Sequence, residues 1–316
     1  TWTFVTGLTV LLSLAYLKAE RLSIGEYYGF ILLALVGMMV MVSGADLLTI
    51  YLGTELMSLS LYVMAGLKRT EARSLEASAK YFVLGAFSSG VLLYGISLLF
   101  GLAGSTRLSV IAEAITTQGN ANPMLSLALV LLAVGFGFKL AVVPFHMWTP
   151  DVYQGAPTSV TAFMAVASKA ASFGAFLRVF VEGLGGASAD WSVLFTIICL
   201  ATLALGNLVA IVQTSIKRML AYSSIAHAGY VLVGLTAAVQ RNAMTEAERK
   251  AKIVNGHAKR IGPISGRLTA LAPWIIVLAL SILGLIIGAV DTFKASDSLD
   301  ASVPRAAATL LAVFGV

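Results

Sequence analysis

Nine stretches of this 316-residue chain are apolar over about the length that a helix needs to cross a bilayer. A span takes about 20 apolar residues to cover roughly 30 Å of hydrocarbon. The runs 1–17, 27–45, 47–66, 78–101, 124–148, 158–181, 191–212, 219–239 and 271–293 meet that need, with 303–316 as a weaker candidate. Backbone polar groups find no water inside hydrocarbon, so only helices and closed barrels can span it. A barrel would show repeated alternating segments of about 10 residues rather than long continuous runs. The chain therefore reads as all-α, a polytopic transmembrane helix bundle.

The charge balance narrows the partners. Hydrophobic residues make up 59% of the chain and charged residues 11%, against roughly 25% charge in an ordinary soluble domain. The net charge of +6 is spread through loops beside the spans, where anionic headgroups of membrane lipids are nearer partners than nucleic acid. No nucleic-acid role is expected. Cys199 stands alone in an apolar run, which excludes an intrachain disulfide, and no Cys/His cluster has the spacing of a zinc or iron–sulfur site. No metal or haem is implied. The first run lacks a basic start and a small-residue cleavage motif, so it is expected to be a span rather than a signal peptide.

Short loops set the expected orientation. Loop one carries Lys18 and Arg21, loop three Lys68, Arg69, Arg73 and Lys80, and loop seven Lys217 and Arg218. Loops two and six hold no lysine or arginine, and loop four holds only Arg107. Odd loops should face the cytoplasm. Loop eight, residues 241–270, runs against that trend with Arg241, Arg249, Lys250, Lys252, Lys259, Arg260 and Arg267, and long segments obey the rule poorly. In loop four, Leu108, Ile111, Ala112 and Ile115 are spaced to make one apolar face. That segment reads as a short interfacial helix capped by Ser105 or Thr106, or as a solvated turn.

Three ionisable residues interrupt the apolar runs. Glu55 lies about eight residues into the third span, about 12 Å along a helix and hard to bring to water by snorkelling. Lys139 lies about 15 residues into the fifth, and Lys169 about 11 residues into the sixth. A charge at mid-membrane raises the insertion cost by roughly 2.5–3.5 kcal/mol, so such residues are functional candidates by default. Pro144 follows Lys139 by five residues. It should kink or split the helix and leave carbonyls in need of water or a polar neighbour. His146, two residues further, is placed to bond those groups or to hand a proton between water and lysine. Ser168 and Ser172 beside Lys169 suit close helix packing with room for water. Glu55, Lys139, Lys169 and His146 are thus the candidate proton-relay residues.

Each has a structural alternative. Glu55 is also readable as a locally paired carboxylate, and His146 as a cap on the broken helix. Lys217, Arg218, Asp151 and Arg178 lie near span boundaries, where topology and lipid contact explain them. Asp46 caps the third span as readily as it carries protons. The many Met and Phe residues are core or lipid-facing fill.

Several stretches carry a family resemblance: Tyr51-Leu52-Gly53-Thr54-Glu55-Leu56-Met57-Ser58-Leu59-Ser60-Leu61-Tyr62, Lys80-Tyr81-Phe82-Val83-Leu84-Gly85-Ala86-Phe87-Ser88-Ser89-Gly90, Lys217-Arg218-Met219-Leu220-Ala221-Tyr222-Ser223-Ser224-Ile225-Ala226-His227-Ala228-Gly229-Tyr230, and above all Lys139-Leu140-Ala141-Val142-Val143-Pro144-Phe145-His146-Met147-Trp148-Thr149-Pro150-Asp151-Val152-Tyr153-Gln154-Gly155-Ala156-Pro157-Thr158. Residues 47–239 resemble the antiporter-like, proton-pumping membrane subunits of respiratory complex I, the group that includes subunit N of bacteria and subunit 2 of mitochondria and chloroplasts.

The resemblance implies an antiporter-like bundle of two inverted five-helix repeats, each with a discontinuous helix, here near Pro144. It implies that the glutamate matched by Glu55 pairs with the lysine matched by Lys139, and that the lysine matched by Lys169 passes protons on. It also implies no cofactor in this chain. NADH, FMN, iron–sulfur clusters and quinone would belong to the complex, in which this chain works with other membrane-arm subunits, and NADH:quinone oxidoreductase activity would be true of the complex alone. A bacterial inner (plasma) membrane is expected, ahead of an organellar inner or thylakoid membrane.

Both ends depart from the pattern. Glu55 falls in the third span rather than the fifth, so about two N-terminal helices are expected to be absent. Residues 240–316 show neither the further helices nor the second membrane lysine of the family's second repeat, and Lys294 at the edge of a span is a poor substitute. The second repeat is expected to be incomplete, with truncation, divergence and a splice all open. The expected layout is N-terminal helices over 1–46, a proton-translocating core over 47–239, and a basic loop with a C-terminal segment over 240–316. A subunit of a multi-component sodium/proton antiporter and a mainly structural membrane subunit are the competing readings; the Pro150-Asp151-Val152-Tyr153 run favours the complex I group.

Overall fold

Helices account for the architecture of the protein, whose computed structural model describes residues 2–20, 22, 24–118 and 122–254. The helices are α1 (Trp2–Ala19), α2 (Ile24–Ser43), α3 (Leu47–Ala65), α4 (Ala72–Ala103) and α5 (Leu108–Gln118). After them come α6 (Pro123–Leu140), α7 (Trp148–Gly155), α8 (Thr158–Gly183), α9 (Ser188–Ile211) and α10 (Ile216–Val254). Among the described residues, seven stretches are long and apolar enough to cross a membrane: Gly25–Ser43, α3, α4, α6, α8, Gly185–Ile211 and Ile216–Val239. These correspond to the second through eighth expected spans. The first is a shorter apolar helix, and 271–293, 303–316 and Lys294 lie outside the described residues.

The chain divides into two compact units, Thr1–Ala243 and Met244–Val316. The second is described only through Val254, where it is helical. That corrects the loop expected from residue 241. Charge ends a membrane span but not a helix, and the run Thr245-Glu246-Ala247-Glu248-Arg249-Lys250-Ala251-Lys252 consists largely of strong helix formers.

Close backbone approach sets α3 in place within the first unit. A Cβ on Gly37 would lie 2.5 Å from the backbone nitrogen of Met57, and one on Gly53 would lie 2.5 Å from that of Met41. Small residues let membrane helices meet in this way. Asp46 starts α3: its carboxylate accepts from Leu48 N at 2.8 Å and Thr49 N at 3.4 Å, and from the Thr106 hydroxyl at 2.6 Å. The capping reading of Asp46 is the one the structure bears out. Partial burial pushes its pKa up, but the Thr106, Leu48 and Thr49 hydrogen bonds outweigh that and hold it below the usual 3.8. Thr106 is therefore spent on Asp46, and Ser105 accepts only from Arg107 N at 3.2 Å. Neither caps α5, which nevertheless forms and buries Leu108, Ile111 and Ile115. Burial of the apolar face stabilises α5 without a side-chain cap.

Ion pairs bring the odd loops together. Lys68 bonds Glu20 at 2.8 Å and Glu71 at 3.1 Å, while Asp151 of α7 takes Lys80 at 2.7 Å and Arg218 at 2.6 Å. The Glu20 hydrogen bond pushes the Lys68 pKa up to about 12 against partial burial, with Glu71 adding to the effect. Loops one, three, five and seven thus share one face, whereas loops two and four meet through Asp46 and Thr106. With 32 residues α4 is about 48 Å long and exceeds the hydrocarbon thickness. Its surplus first turns carry Arg73, Glu76 and Lys80 into the ionic layer, where Glu76, Asp151 and Arg218 line a cavity of about 190 Å³.

Candidate functional site

Helix α6 ends at Leu140, four residues ahead of Pro144 and earlier than the run 124–148 implies. A proline ring clashes with the carbonyl four residues before it, and Leu140 is that residue. The end is closed in the manner of a glycine-terminated helix: Ala141 takes a left-handed φ of 58°, with Ala141 N bonding Phe138 O at 3.1 Å and Val142 N bonding Gly137 O at 3.0 Å. The left-handed conformation costs an alanine about 1–2 kcal/mol. Trp148, the first residue of α7, donates its indole N–H to Phe138 O at 3.1 Å, and Val143 N donates to the Thr202 hydroxyl at 3.0 Å. The carbonyl of Phe138 is therefore held by Ala141 N and a tryptophan, not by His146.

This termination leaves Lys139 as the last but one residue of a helix that stops inside the bundle, with its side chain buried. Its ammonium donates to Ser58 Oγ at 2.7 Å and to Ser89 Oγ at 3.3 Å, and lies 6.0 Å from the centre of the Tyr62 ring. Glu55 Oε1 is 3.7 Å from the Lys139 nitrogen, and the Ser89 hydroxyl donates to that same oxygen. Glu55, Ser58 and Tyr62 reach one face of α3 by a spacing of three and four residues. The expected Glu55–Lys139 pair is present, built from α3, α4 and α6. Ser58, Ser89 and Tyr62 belong to it as well, although no ionisable signal marks the two serines in the sequence.

Lys169 sits elsewhere in the bundle, also buried, directly after a π-helical turn at Met164–Ser168 in α8. Such turns recur at functional sites. Its ammonium donates to Ser224 O at 2.8 Å and Ser224 Oγ at 2.7 Å on α10. Among the described residues no carboxylate pairs with it. Ser168 and Ser172, expected to leave room for water, bond back to Met164 O at 2.7 Å and Ser168 O at 2.8 Å on their own helix. Edge-on contacts of Phe136 with Phe176 and of Phe176 with Phe195 tie α8 to α6 and α9.

His146 is buried in the connection between α6 and α7, with its ring 6.4 Å from that of Tyr222. Among the described residues it makes no hydrogen bond or ion pair with Glu55, Lys139 or Lys169. The boundary residues have local partners: Arg178 pairs with Glu182 at 3.2 Å, and Lys217 donates to Ala156 O at 3.3 Å.

A partly buried carboxylate and a buried ammonium at the broken end of a membrane helix, with a second buried lysine on a neighbouring span, define a multi-pass membrane protein with an antiporter-like bundle. The chain belongs to the NADH:quinone oxidoreductase/Mrp antiporter transmembrane family, which matches residues 44–247. It is 53% identical over 238 residues to NADH-quinone oxidoreductase subunit N 2 of Solibacter usitatus (strain Ellin6076), covering 75% of this chain and 48% of that protein. To NADH-quinone oxidoreductase subunit N of Trichlorobacter lovleyi it is 54% identical over 229 residues, covering 72% and 47%. Among solved structures, a chain of respiratory complex I from Thermus thermophilus with bound aureothin aligns at a TM-score of 0.60 and 41% identity, over 74% of this chain and 51% of that one. A chain of the Mrp complex from Dietzia sp. DQ12-45-1b, at 23% identity, shares the fold with a TM-score of 0.65 over 73% of this chain and 43% of that one. The chain spans about half the length of the curated relatives it matches.

Proposed function

We propose that this chain is a proton-translocating membrane-arm subunit of an NADH:quinone oxidoreductase in a bacterial inner membrane, working against other membrane-arm subunits and surrounding lipids. The observation that carries the reading is the pairing of the buried Lys139 with the partly buried Glu55 at the α6 break. A carboxylate beside an ammonium exchanges a proton at little cost in net charge, and displacement of either group unloads the other. Lys169 receives and passes on protons, and its hydroxyl and carbonyl partners hold the ammonium without neutralising it. His146 serves as a polar group of the broken segment. NADH oxidation and quinone reduction, with their flavin and iron–sulfur centres, fall to partner subunits, so this chain contributes no redox step.

The test uses inverted membrane vesicles carrying the assembled complex. NADH should drive proton uptake that is lost when the chain is deleted, and a sodium gradient should drive none without a redox donor. Sodium-driven proton exchange in the absence of NADH would overturn the reading in favour of an antiporter subunit.

A further inference from the structure

The distances around Lys139 separate two serines that look alike in the sequence. At 3.7 Å, the Lys139 ammonium and the Glu55 carboxylate attract each other but are too far apart for a hydrogen bond. Ser89 occupies the gap: its oxygen accepts from Lys139 at 3.3 Å and its proton is donated to Glu55. Ser58 accepts from Lys139 at 2.7 Å, but its own proton goes to the backbone carbonyl of Thr54 at 2.7 Å. An amide oxygen is a poor proton carrier, so that branch is a dead end.

From this geometry we propose that Ser89 is a proton-transferring residue of the site, the hydroxyl through which Lys139 and Glu55 exchange their proton, while Ser58 only anchors the ammonium. The proposal rests on the proton-translocating reading above. In the forward step an N–H bond of Lys139 breaks as a new O–H bond forms on Ser89, and the original Ser89 O–H breaks as its proton joins Glu55. The products are a neutral amine, an intact serine and a carboxylic acid. No oxidant, reductant or further reactant takes part. Rotation of the new hydroxyl proton resets the bridge. The serine is buried and fixed between α3 and α6, so the path exists without any large movement of the backbone.

Threonine and valine at position 89 have the same shape and differ in the hydroxyl. In vesicles carrying the assembled complex, Ser89→Thr should keep NADH-driven proton uptake close to that of the native protein. Ser89→Val should slow it about tenfold or more, the equivalent of ~1.4 kcal/mol, and change its solvent deuterium isotope effect. Ser58→Ala should keep the native isotope effect. Equal uptake and isotope effects in Thr and Val variants that both still pump at the native rate would overturn the proposal. Should the added bulk disable both, Ser89→Ala decides: a slowed rate with an altered isotope effect supports the relay, and native behaviour overturns it. Lys139→Ala is measured alongside. Normal pumping without that lysine would sink the proton-translocating reading itself, whereas its loss together with native behaviour at position 89 would remove only the serine relay.

Discussion

Two buried lysines in one bundle have been given opposite surroundings. Lys139 faces a carboxylate, two hydroxyls and an aromatic ring, whereas Lys169 faces one hydroxyl and one carbonyl, with no counter-charge among the described residues. The first site holds a charge pair whose net charge is unchanged when a proton moves inside it. The second changes its net charge with every proton that arrives or leaves. Internal exchange at the first site and gain or loss at the second are what a relay needs in sequence.

The contrast breaks most visibly in stability. Removing one member of a buried ion pair leaves the other uncompensated, at a cost of about 3–5 kcal/mol. Glu55 keeps 21% of its side-chain surface exposed, so Lys139→Met should sit near the low end, about 3 kcal/mol. The Lys139→Met, Glu55→Gln double variant should recover most of that loss without recovering transport. Lys169→Met removes a charge that has no partner to strand and should cost about 1 kcal/mol, the price of the lost hydrogen bonds. Assembled complex surviving graded heating in detergent measures all three. Equal losses at the two lysines would erase the distinction.

A carboxylate outside the spans sharpens the comparison, because among the described residues Asp46 is hydrogen-bonded by neutral donors, with the Arg107 charge adding a smaller effect. Its folded pKa lies below 3.8, so its contribution is fully present above that value and is lost as pH falls through the lower folded value. Protonation should loosen the α3 start and its contact with Thr106, a change of about 1 kcal/mol in keeping with a helix cap. Amide hydrogen exchange at Leu48 and Thr49 should rise in acid beyond the intrinsic trend. Asp46→Asn keeps a capping oxygen but cannot titrate, so it should abolish that rise. An identical acid response in the variant would show that the cap does not titrate there.

What could be read from the residues follows the same division. Glu55, Lys139 and Lys169 stood out because a charge in an apolar run is costly, and the resemblance supplied the pairing of the first two. The serines were hidden for a physical reason. Hydroxyls in membrane helices commonly bond back to the carbonyl four residues earlier, as Thr54, Ser168 and Ser172 do here. Nothing in the sequence distinguishes those from Ser89 and Ser224, which bridge helices. The α6 break near Pro144 is legible in the sequence, and the helix stops at Leu140 because a proline acts on the turn before it. The position of His146 beside that break is plain in the sequence, and only the packing shows that it meets Tyr222 while Trp148 holds Phe138. Charge hides the helix beyond residue 240, because it marks the end of the apolar face and not the end of the element.

The central claim is that protons pass through Lys139. The measurement is NADH-driven proton uptake, together with NADH:quinone turnover, in vesicles carrying Lys139→Ala and checked for normal complex content. The account predicts that uptake and coupled turnover both fall by about tenfold or more, a barrier raised by ~1.4 kcal/mol, in a complex that still assembles. Unchanged uptake and turnover would contradict it and leave the Glu55–Lys139 pair as a structural element.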